Sequence, residues 1–365
     1  MKKFLFVFTF IVTIIPIVQA QDVNRHYVYE NIDGLWYYLY DDYYTADLAK
    51  IPSDFSGRLD IPAYVEFEDH TYKLTAIEGG ACKDTNITSV TIPQGVTSIG
   101  WYSFGECPEL EDVSLPIGLE FIDDCAFAGS AKLRSIVLPE GLTHLGSAAF
   151  EGCTALTSVE FPSTLADINN YAFMDCVNLR NVNIPPTVQR IGWMTFDNCI
   201  SFTKIDIPEG VKILDTCCLN NCENVESISI PSSITTMGNE VFHCCDRSSL
   251  KSVVSHIQNP FKIDGFSFFE YSYIAATLYV PKGTRQKYEN MYAWNCFRNI
   301  QEVESAGICD ANADGTVNAV DIIAIANFIT GNAGSMTIEQ ADVNGDGVVN
   351  VADIVAIINA VVGKE

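Results

Sequence analysis

Seven prolines stand 23 residues apart: Pro93, Pro116, Pro139, Pro162, Pro185, Pro208 and Pro231. An aromatic column keeps the same step through Phe104, Phe127, Phe150, Phe173 and Phe196, passes through Leu219 and resumes at Phe242. A third column holds Cys107, Ser130, Cys153, Cys176, Cys199, Cys222 and Cys245. Several columns in phase over seven units, at a period in the twenties, mean a solenoid. Each coil can then bury its apolar side only against its neighbours.

The unit reads L-x-x-Φ-x-Φ-P-x-x-Φ-x-x-Φ-G-x-x-[AS]-F-x-x-C, with Φ apolar. Val90, Thr91 and Ile92 alternate in, out, in, as a short strand does. Pro93 cannot donate to a ladder and ends the strand. Val96 and Ile99 then turn inward, and Phe104 fills the broad end of the core. Burying each such ring contributes roughly 1.5–3 kcal/mol.

These residues, clearest in "ITSVTIPQGVTSIG" and "GSAAFEGCTALTSVEFP", resemble the BspA-like leucine-rich repeats of bacterial surface proteins over roughly residues 59–281. The resemblance implies a right-handed repeat solenoid with a parallel sheet on one side. It also implies adhesion or protein binding in place of catalysis.

Both ends leave the period. Residues 21–80 hold a Tyr-rich start (Tyr27, Tyr29, Trp36, Tyr37, Tyr38, Tyr40, Tyr43, Tyr44) and an irregular first unit around Ile61-Pro62. This reads as an N-terminal cap of hairpins; a sugar-stacking cluster is the alternative. Regular coils are expected over 81–249. Residues 250–305, with a helix expected from Lys287 to Trp294, read as the C-terminal cap. Open solenoids need such caps over their apolar ends.

The 13 cysteines are an odd number. Ser130 in the repeat column indicates that the column wants a small buried residue, a role free Cys often fills. A redox or metal ladder is the alternative. Coils about 4.8 Å apart also leave pairing along the ladder open. The outward positions of the strand are small or polar: Ser89, Asp112, Ser135, Ser158, Asn181, Lys204 and Ser227, then Thr91, Ser114, Val137, Glu160, Asn183, Asp206 and Ser229. Such a face suits a protein partner or plain solvation, and without aromatics it makes a poor polysaccharide platform.

After residue 305 the repeat stops and two segments match each other: "DANADGTVNAVDIIAIANFITG" from Asp310 and "DVNGDGVVNVADIVAIINAVVG" from Asp342. They start 342 − 310 = 32 residues apart and agree at 12 of 22 positions. Each supplies oxygen at loop positions 1, 3, 5 and 12: Asp310, Asn312, Asp314 and Asp321; Asp342, Asn344, Asp346 and Asp353. The carbonyls of Thr316 and Val348 serve at position 7, with Asn318 and Asn350 at position 9 acting through water. Hard Ca2+ takes six to eight oxygens at about 2.3–2.6 Å, so two calcium ions are expected. A two-lobed EF-hand is the competitor. Asp in place of Glu at position 12, and no amphipathic helix before the first loop, disfavour it.

Residues 306–365 resemble a type I dockerin, a small all-α calcium-binding domain. The match includes both loops and the following helices, Asp321 to Ile329 and Asp353 to Val362. The resemblance implies a cohesin-type protein partner docked on the two helix faces. Loop positions 10 and 11 help to choose it. Here they are Ala319-Val320 and Val351-Ala352, where many members carry a hydroxyl pair.

Lys2 and Lys3, the apolar run Phe4 to Val18, and Val18-Gln19-Ala20 read as a signal peptide, residues 1–20, cleaved near Ala20. The run is short for a membrane anchor. A secreted or cell-surface location is therefore expected. Lys+Arg is 21 against Asp+Glu 46, a formal charge of −25, which excludes nucleic acid as a partner and anionic lipid as a support. Five scattered His, no G-x-S-x-G, no H-E-x-x-H and no phosphate loop leave no catalytic motif. The function expected is an adhesin-like scaffold: a solenoid that binds a protein or glycan target, tethered by its calcium module. The alternative is a non-catalytic accessory subunit of a polysaccharide-degrading complex.

Overall fold

The structure, a computed structural model, describes residues 27–180, 182–243, 249–303, 319–331, 341–343 and 348–362. The leader, the position-245 member of the cysteine column and the outward Asn181 lie outside these residues. Coil stacks on coil for about ten turns. Each regular coil presents three sides to its neighbours.

The first side is the strand read from the sequence. Asn86–Thr91 pairs in parallel with Asp112–Ser114, Ser135–Val137 with Ser158–Glu160, and Lys204–Asp206 with Ser227–Ile230. The register is the period itself: Lys204, Ile205 and Asp206 face Ser227, Ile228 and Ser229. Val90 and Ile92 are buried and Thr91 is exposed, as the alternation demands. The second side is a further parallel ladder of two-residue strands that the sequence reading did not expect. Ser98–Ile99, Phe121–Ile122 and His144–Leu145 pair with one another, as do Asp167–Ile168, Arg190–Ile191, Ile213–Leu214 and Thr236–Met237. Runs of two residues carry too little periodicity to read.

The third side has no strand, yet it is a hydrogen-bonded ladder. The N–H of Phe104 donates to the carbonyl of Ala126, Phe127 to Ala149, Phe150 to Ala172, Phe173 to Thr195 and Phe196 to Cys218, all at 2.8–2.9 Å. Two residues earlier, Tyr102, Cys125, Ala148, Tyr171, Met194 and Cys217 also donate to the following coil. These six, with Glu240, have φ between +51° and +59°. None is glycine, and left-handed backbone costs an L-residue roughly 1–2 kcal/mol. Every coil accepts that cost so that its N–H groups face the next coil. Gly146 shows how close the coils lie, because a Cβ there would sit 2.4 Å from the backbone of Asp123.

The core is one continuous cluster from Tyr37 to Ile300. Its centre is the phenylalanine column. Phe104, Phe127, Phe150, Phe173 and Phe196 are fully buried and stack at 5.2–5.5 Å with ring planes within 8° of parallel. Beside it runs the cysteine column. The thiols of Cys153, Cys176, Cys199 and Cys222 donate to the carbonyls of Phe127, Phe150, Phe173 and Phe196 at 3.2–3.5 Å. Ser130 makes the same bond to Phe104 at 2.9 Å. The column therefore needs a small donor as well as a small residue. Every described cysteine is a free thiol, and burial pushes the column's thiols up, away from the reactive thiolate.

At the N-terminal end, β1 (Val28–Ile32), β2 (Leu35–Tyr40) and β3 (Thr45–Lys50) form an antiparallel meander. β3 pairs in parallel with β6 (His70–Ile77), which forms a hairpin with β5 (Tyr64–Phe67). β6 continues into the second ladder through Ser98–Ile99. The first-side ladder begins one coil earlier, at β4 (Ser56–Asp60), which pairs with Asn86–Thr91. Tyr37 and Leu39 of β2 are buried in the core. Tyr27, Tyr29, Trp36 and Tyr38 pack against one another on the opposite face of the ribbon. At the other end the helix expected from Lys287 to Trp294 is a correction. The chain forms a helix at Arg285–Glu289 and a separate 3-10 turn at Trp294–Cys296, broken by Ala293 at φ +69°. The fully buried Trp294 sets that break: its indole N–H donates to the carbonyl of Phe261 at 3.0 Å.

The helices Ala319–Ile329 and Val351–Val362 pack on each other through Ile325, Val343 and Ile357, a small core of their own.

The cysteine column yields a mutational test. Cys153→Ser is expected to keep the bond to Phe127 and cost less than about 1 kcal/mol. Cys153→Ala loses donor and sulfur together and is expected to cost about 2 kcal/mol. Urea unfolding monitored by circular dichroism reads the difference; equal costs for the two would show that the donor is irrelevant.

Candidate functional site

The flat face of the first-side sheet is small and polar, as its columns require. Asp112, Ser135, Ser158 and Lys204 are exposed in one, and Thr91, Ser114, Val137, Glu160, Asn183 and Asp206 in the other. Lys204 pairs with Asp206 along its own strand at 2.8 Å. Arg134 pairs with Glu111 and Lys251 with Glu226 on adjacent coils, at 2.7 Å each. Exposed pairs of this kind contribute little to stability, so this face is free to be spent on recognition.

The third side carries a run of acids and amides. Asn198 Nδ2 donates to Asp175 Oδ1 at 2.7 Å, and Asn221 Nδ2 donates to Asp197 Oδ1 at 3.0 Å. Asp197 is buried, and that burial pushes its carboxyl up to about 6 although the amides of Asn221 and Asn220 pull it back. Burial also raises Glu151, helped by Asp175 and Glu106. These stacked acids follow from the period, which sets residues 22–24 apart side by side on successive coils.

The duplicated acidic loops point to the other site. Their position-12 residues, Asp321 and Asp353, open the two helices, and both are 0% exposed. Asn350 and Asp353 cap the second helix reciprocally. Asn350 Oδ1 accepts the N–H of Ala352 at 2.7 Å, and Asp353 Oδ2 accepts the N–H of Asn350 at 2.8 Å. The Asn at position 9 thus fixes the turn, a role the sequence reading missed, although N-x-x-D before an apolar run was its signal. Asn350 Nδ2 also donates to the carbonyl of Val348 at 3.0 Å. Asp342 is half-buried beside Val343, and Val348 is exposed. The remaining proposed ligands, Asp310, Asn312, Asp314, Thr316, Asn318, Asn344 and Asp346, lie outside the described residues. Each copy offers a fully buried carboxylate, and in the second copy carboxamide and carbonyl oxygens lie beside it, so the described donors are hard oxygens. That chemistry suits calcium and not a soft metal.

On the helices, Val320, Val351 and Ala352 of positions 10 and 11 are exposed. So are Ile323, Val355 and Ile358 one turn further on. Ile323 and Val355 occupy the same place in the two copies, since 355 − 323 = 32. Among the described residues no helix is long and apolar enough to cross a membrane. Nor does any group of three or more His, Cys, Asp or Glu residues gather as a metal site there.

A family model described as a BspA type leucine rich repeat region, in six copies, matches residues 75–201 and 166–301. A second, described as a dockerin type I domain, matches residues 308–362. Among solved structures, a leucine-rich repeat protein from Bacteroides ovatus is 20% identical, with 75% of this chain and 76% of that chain covered and a TM-score of 0.41. A leucine rich cell surface protein from Faecalibacterium prausnitzii is 19% identical, with 75% and 94% covered and a TM-score of 0.42. A leucine-rich repeat protein from Bacteroides capillosus is 30% identical over 36% of this chain and 96% of that chain, with a TM-score of 0.32. No curated protein matches the chain.

Asp197 gives a pH test. Its folded carboxyl titrates near 6, above the unfolded value near 4, so the stability tied to its protonated form is present below about pH 4 and lost as pH rises through 6. Asp197→Asn removes the charge at every pH. It is expected to stabilise the solenoid by about 1–2 kcal/mol at about pH 8 and by almost nothing at about pH 4. Denaturant unfolding at the two pH values checks this, and a gain that does not change with pH would contradict it.

Proposed function

Because the chain belongs to the BspA-type leucine-rich repeat proteins and ends in a dockerin type I domain, we propose that it is a non-catalytic binding scaffold, held in place by calcium-dependent docking. The leader occupies 1–20, the N-terminal cap and first coil 21–80, regular coils 81–249, the C-terminal cap 250–305 and the docking module 306–365. The protein is exported and acts at the cell surface or outside the cell. Its solenoid offers the polar sheet face to a macromolecular target.

The observation that carries the docking reading is the pair of equivalent helix starts. Each begins on a fully buried aspartate and exposes an apolar residue, Ile323 or Val355, at the same place. In this reading Asp310, Asn312, Asp314, Thr316, Asn318 and Asp321 hold one calcium ion. Asp342, Asn344, Asp346, Val348, Asn350 and Asp353 hold the other. Bound calcium relieves the repulsion among three aspartates per loop, up to about 4 kcal/mol for a pair about 4 Å apart at an effective dielectric near 20. The chain supplies the rest: Asn350 and Asp353 fix the turn, Ile325 and Ile357 join the helices, and Val320, Ile323, Val351 and Val355 form the contact surface. Apolar residues at positions 10 and 11 select a cohesin-type partner with an apolar patch in place of hydroxyl-binding groups.

A site with a dissociation constant near 10 μM gains about 2.7 kcal/mol at millimolar calcium, and two gain roughly 5. That rivals the whole stability of a small domain. Full-length protein in EDTA is expected to lose helical far-UV signal and one thermal transition, both regained with calcium. A chain ending at residue 305 should show neither effect. With the mature chain as bait in the source organism's envelope fraction, calcium-dependent capture of a cohesin-type protein is expected, abolished by Ile323→Asp with Val355→Asp. Capture indifferent to both EDTA and that double substitution would overturn the docking reading.

A further inference from the structure

Between β1, the turn that joins β2 to β3 and the hairpin β5–β6 lies a cavity of about 370 Å3. It is remote in sequence from the docking module and sits on the N-terminal cap. Its walls bring together three carboxylates, Glu30, Asp41 and Glu68, and four rings, Tyr44, Phe67, His70 and Tyr72, with Val28 beside them. None of its lining residues is a lysine or arginine. Lys73, next along β6, is turned away, with its ammonium group near Gly95.

The site is built from both sides of the backbone. Tyr44 stacks on His70 at 5.2 Å with 18° between planes, and Tyr72 closes the corner at 6.1 Å from Tyr44. Tyr72 is buried and its hydroxyl donates to Asp41 Oδ1 at 2.5 Å, which anchors that carboxylate at the rim. That bond, with burial and the charges of Asp41 and Glu68, raises the phenol to about 12. Tyr44 and Glu68 hold left-handed backbone, φ +50° and +54°, although neither is glycine. Both lie in turns, Tyr44 between β2 and β3 and Glu68 between β5 and β6, where such backbone belongs to the turn. Tyr44, His70, Asp41 and Glu68 are exposed, so the mouth opens to solvent.

An anion would meet three negative charges here. A neutral sugar would gain the ring faces and leave the carboxylates without a counter-charge. An organic cation gains both, through ring faces and carboxylates together. The volume lies at the small end of ligand sites, enough for one long side chain. We propose that this cavity receives the protonated side chain of a lysine or arginine presented by a protein partner. The proposal names a partner chemistry for the repeat domain and does not depend on the docking module.

The test uses the full mature chain at about pH 8. Nα-acetyl-lysine amide, Nα-acetyl-arginine amide, their neutral analogue Nα-acetyl-norleucine amide, a lysine-rich peptide and cellobiose are titrated by NMR, each in calcium and in EDTA. The two cations are expected to saturate in the millimolar range, and the peptide to bind more tightly. Norleucine amide should bind at least about tenfold more weakly. Glu68→Gln and Tyr44→Ala should each weaken binding about fivefold or more with circular dichroism unchanged, while Tyr44→Phe retains it. EDTA should change nothing, which separates this site from the docking module. Equal binding of norleucine amide or cellobiose, binding indifferent to both substitutions, or no saturation by any cation would overturn the proposal.

Discussion

A coil of 23 residues cannot satisfy its own backbone. Its N–H and C=O groups find partners on the coils above and below, and buried groups left unpaired cost about 1–3 kcal/mol each. Everything else in the repeat domain is arranged around that requirement. The two parallel ladders meet it on two sides, and the N–H groups of Phe104 and its equivalents meet it on the third. The phenylalanine column follows, because rings on successive coils can stack only if the coils hold a constant register. The cysteine column closes the remaining gap by donating thiols to the carbonyls of the phenylalanines.

The same requirement explains the strain. Turning the third side inward forces left-handed backbone on Tyr102, Ala148, Met194 and their equivalents. It also brings Asp175 and Asp197 together on adjacent coils, where Asn198 and Asn221 soften the repulsion. Ends are the weak point of any such stack, and this chain closes them differently. The N-terminal end is covered by antiparallel hairpins, whose inner face supplies Tyr37 and Leu39. The C-terminal end is plugged by Trp294, Tyr288 and Phe297. The cavity beside Tyr44 lies at the edge of the N-terminal arrangement, with Val28 and Glu30 on the same face of the ribbon as Leu39 and Tyr37.

The helical module obeys a different economy. Among the described residues Ile325, Val343 and Ile357 form its buried core, and small modules commonly depend on metals or other cross-links. Its aspartates Asp321 and Asp353 are fully buried at the two helix starts, and Asp353 accepts the N–H of Asn350 there. One chain thus joins a repeat domain that stabilises itself by repetition to a module we propose to be stabilised by an ion.

Much of this was legible in the residues themselves. The period of Pro93 to Pro231 determined the solenoid, its register and the inward columns, because identical spacing puts identical positions side by side. The matching segments at Asp310 and Asp342 determined the duplicated helical module, because spacing and residue type together define a loop. Other features were silent. Ser98–Ile99 is too short to show a strand period. The left-handed residues are Tyr, Cys, Ala, Met and Glu, which carry no mark of that backbone. The break at Ala293 depends on where the Trp294 indole finds a carbonyl, and the cavity of Glu30, Asp41, Glu68 and Tyr44 joins the N-terminal meander to a hairpin about 40 residues away. Local pattern records which way a side chain faces. Only the folded chain decides which distant side chains it then meets.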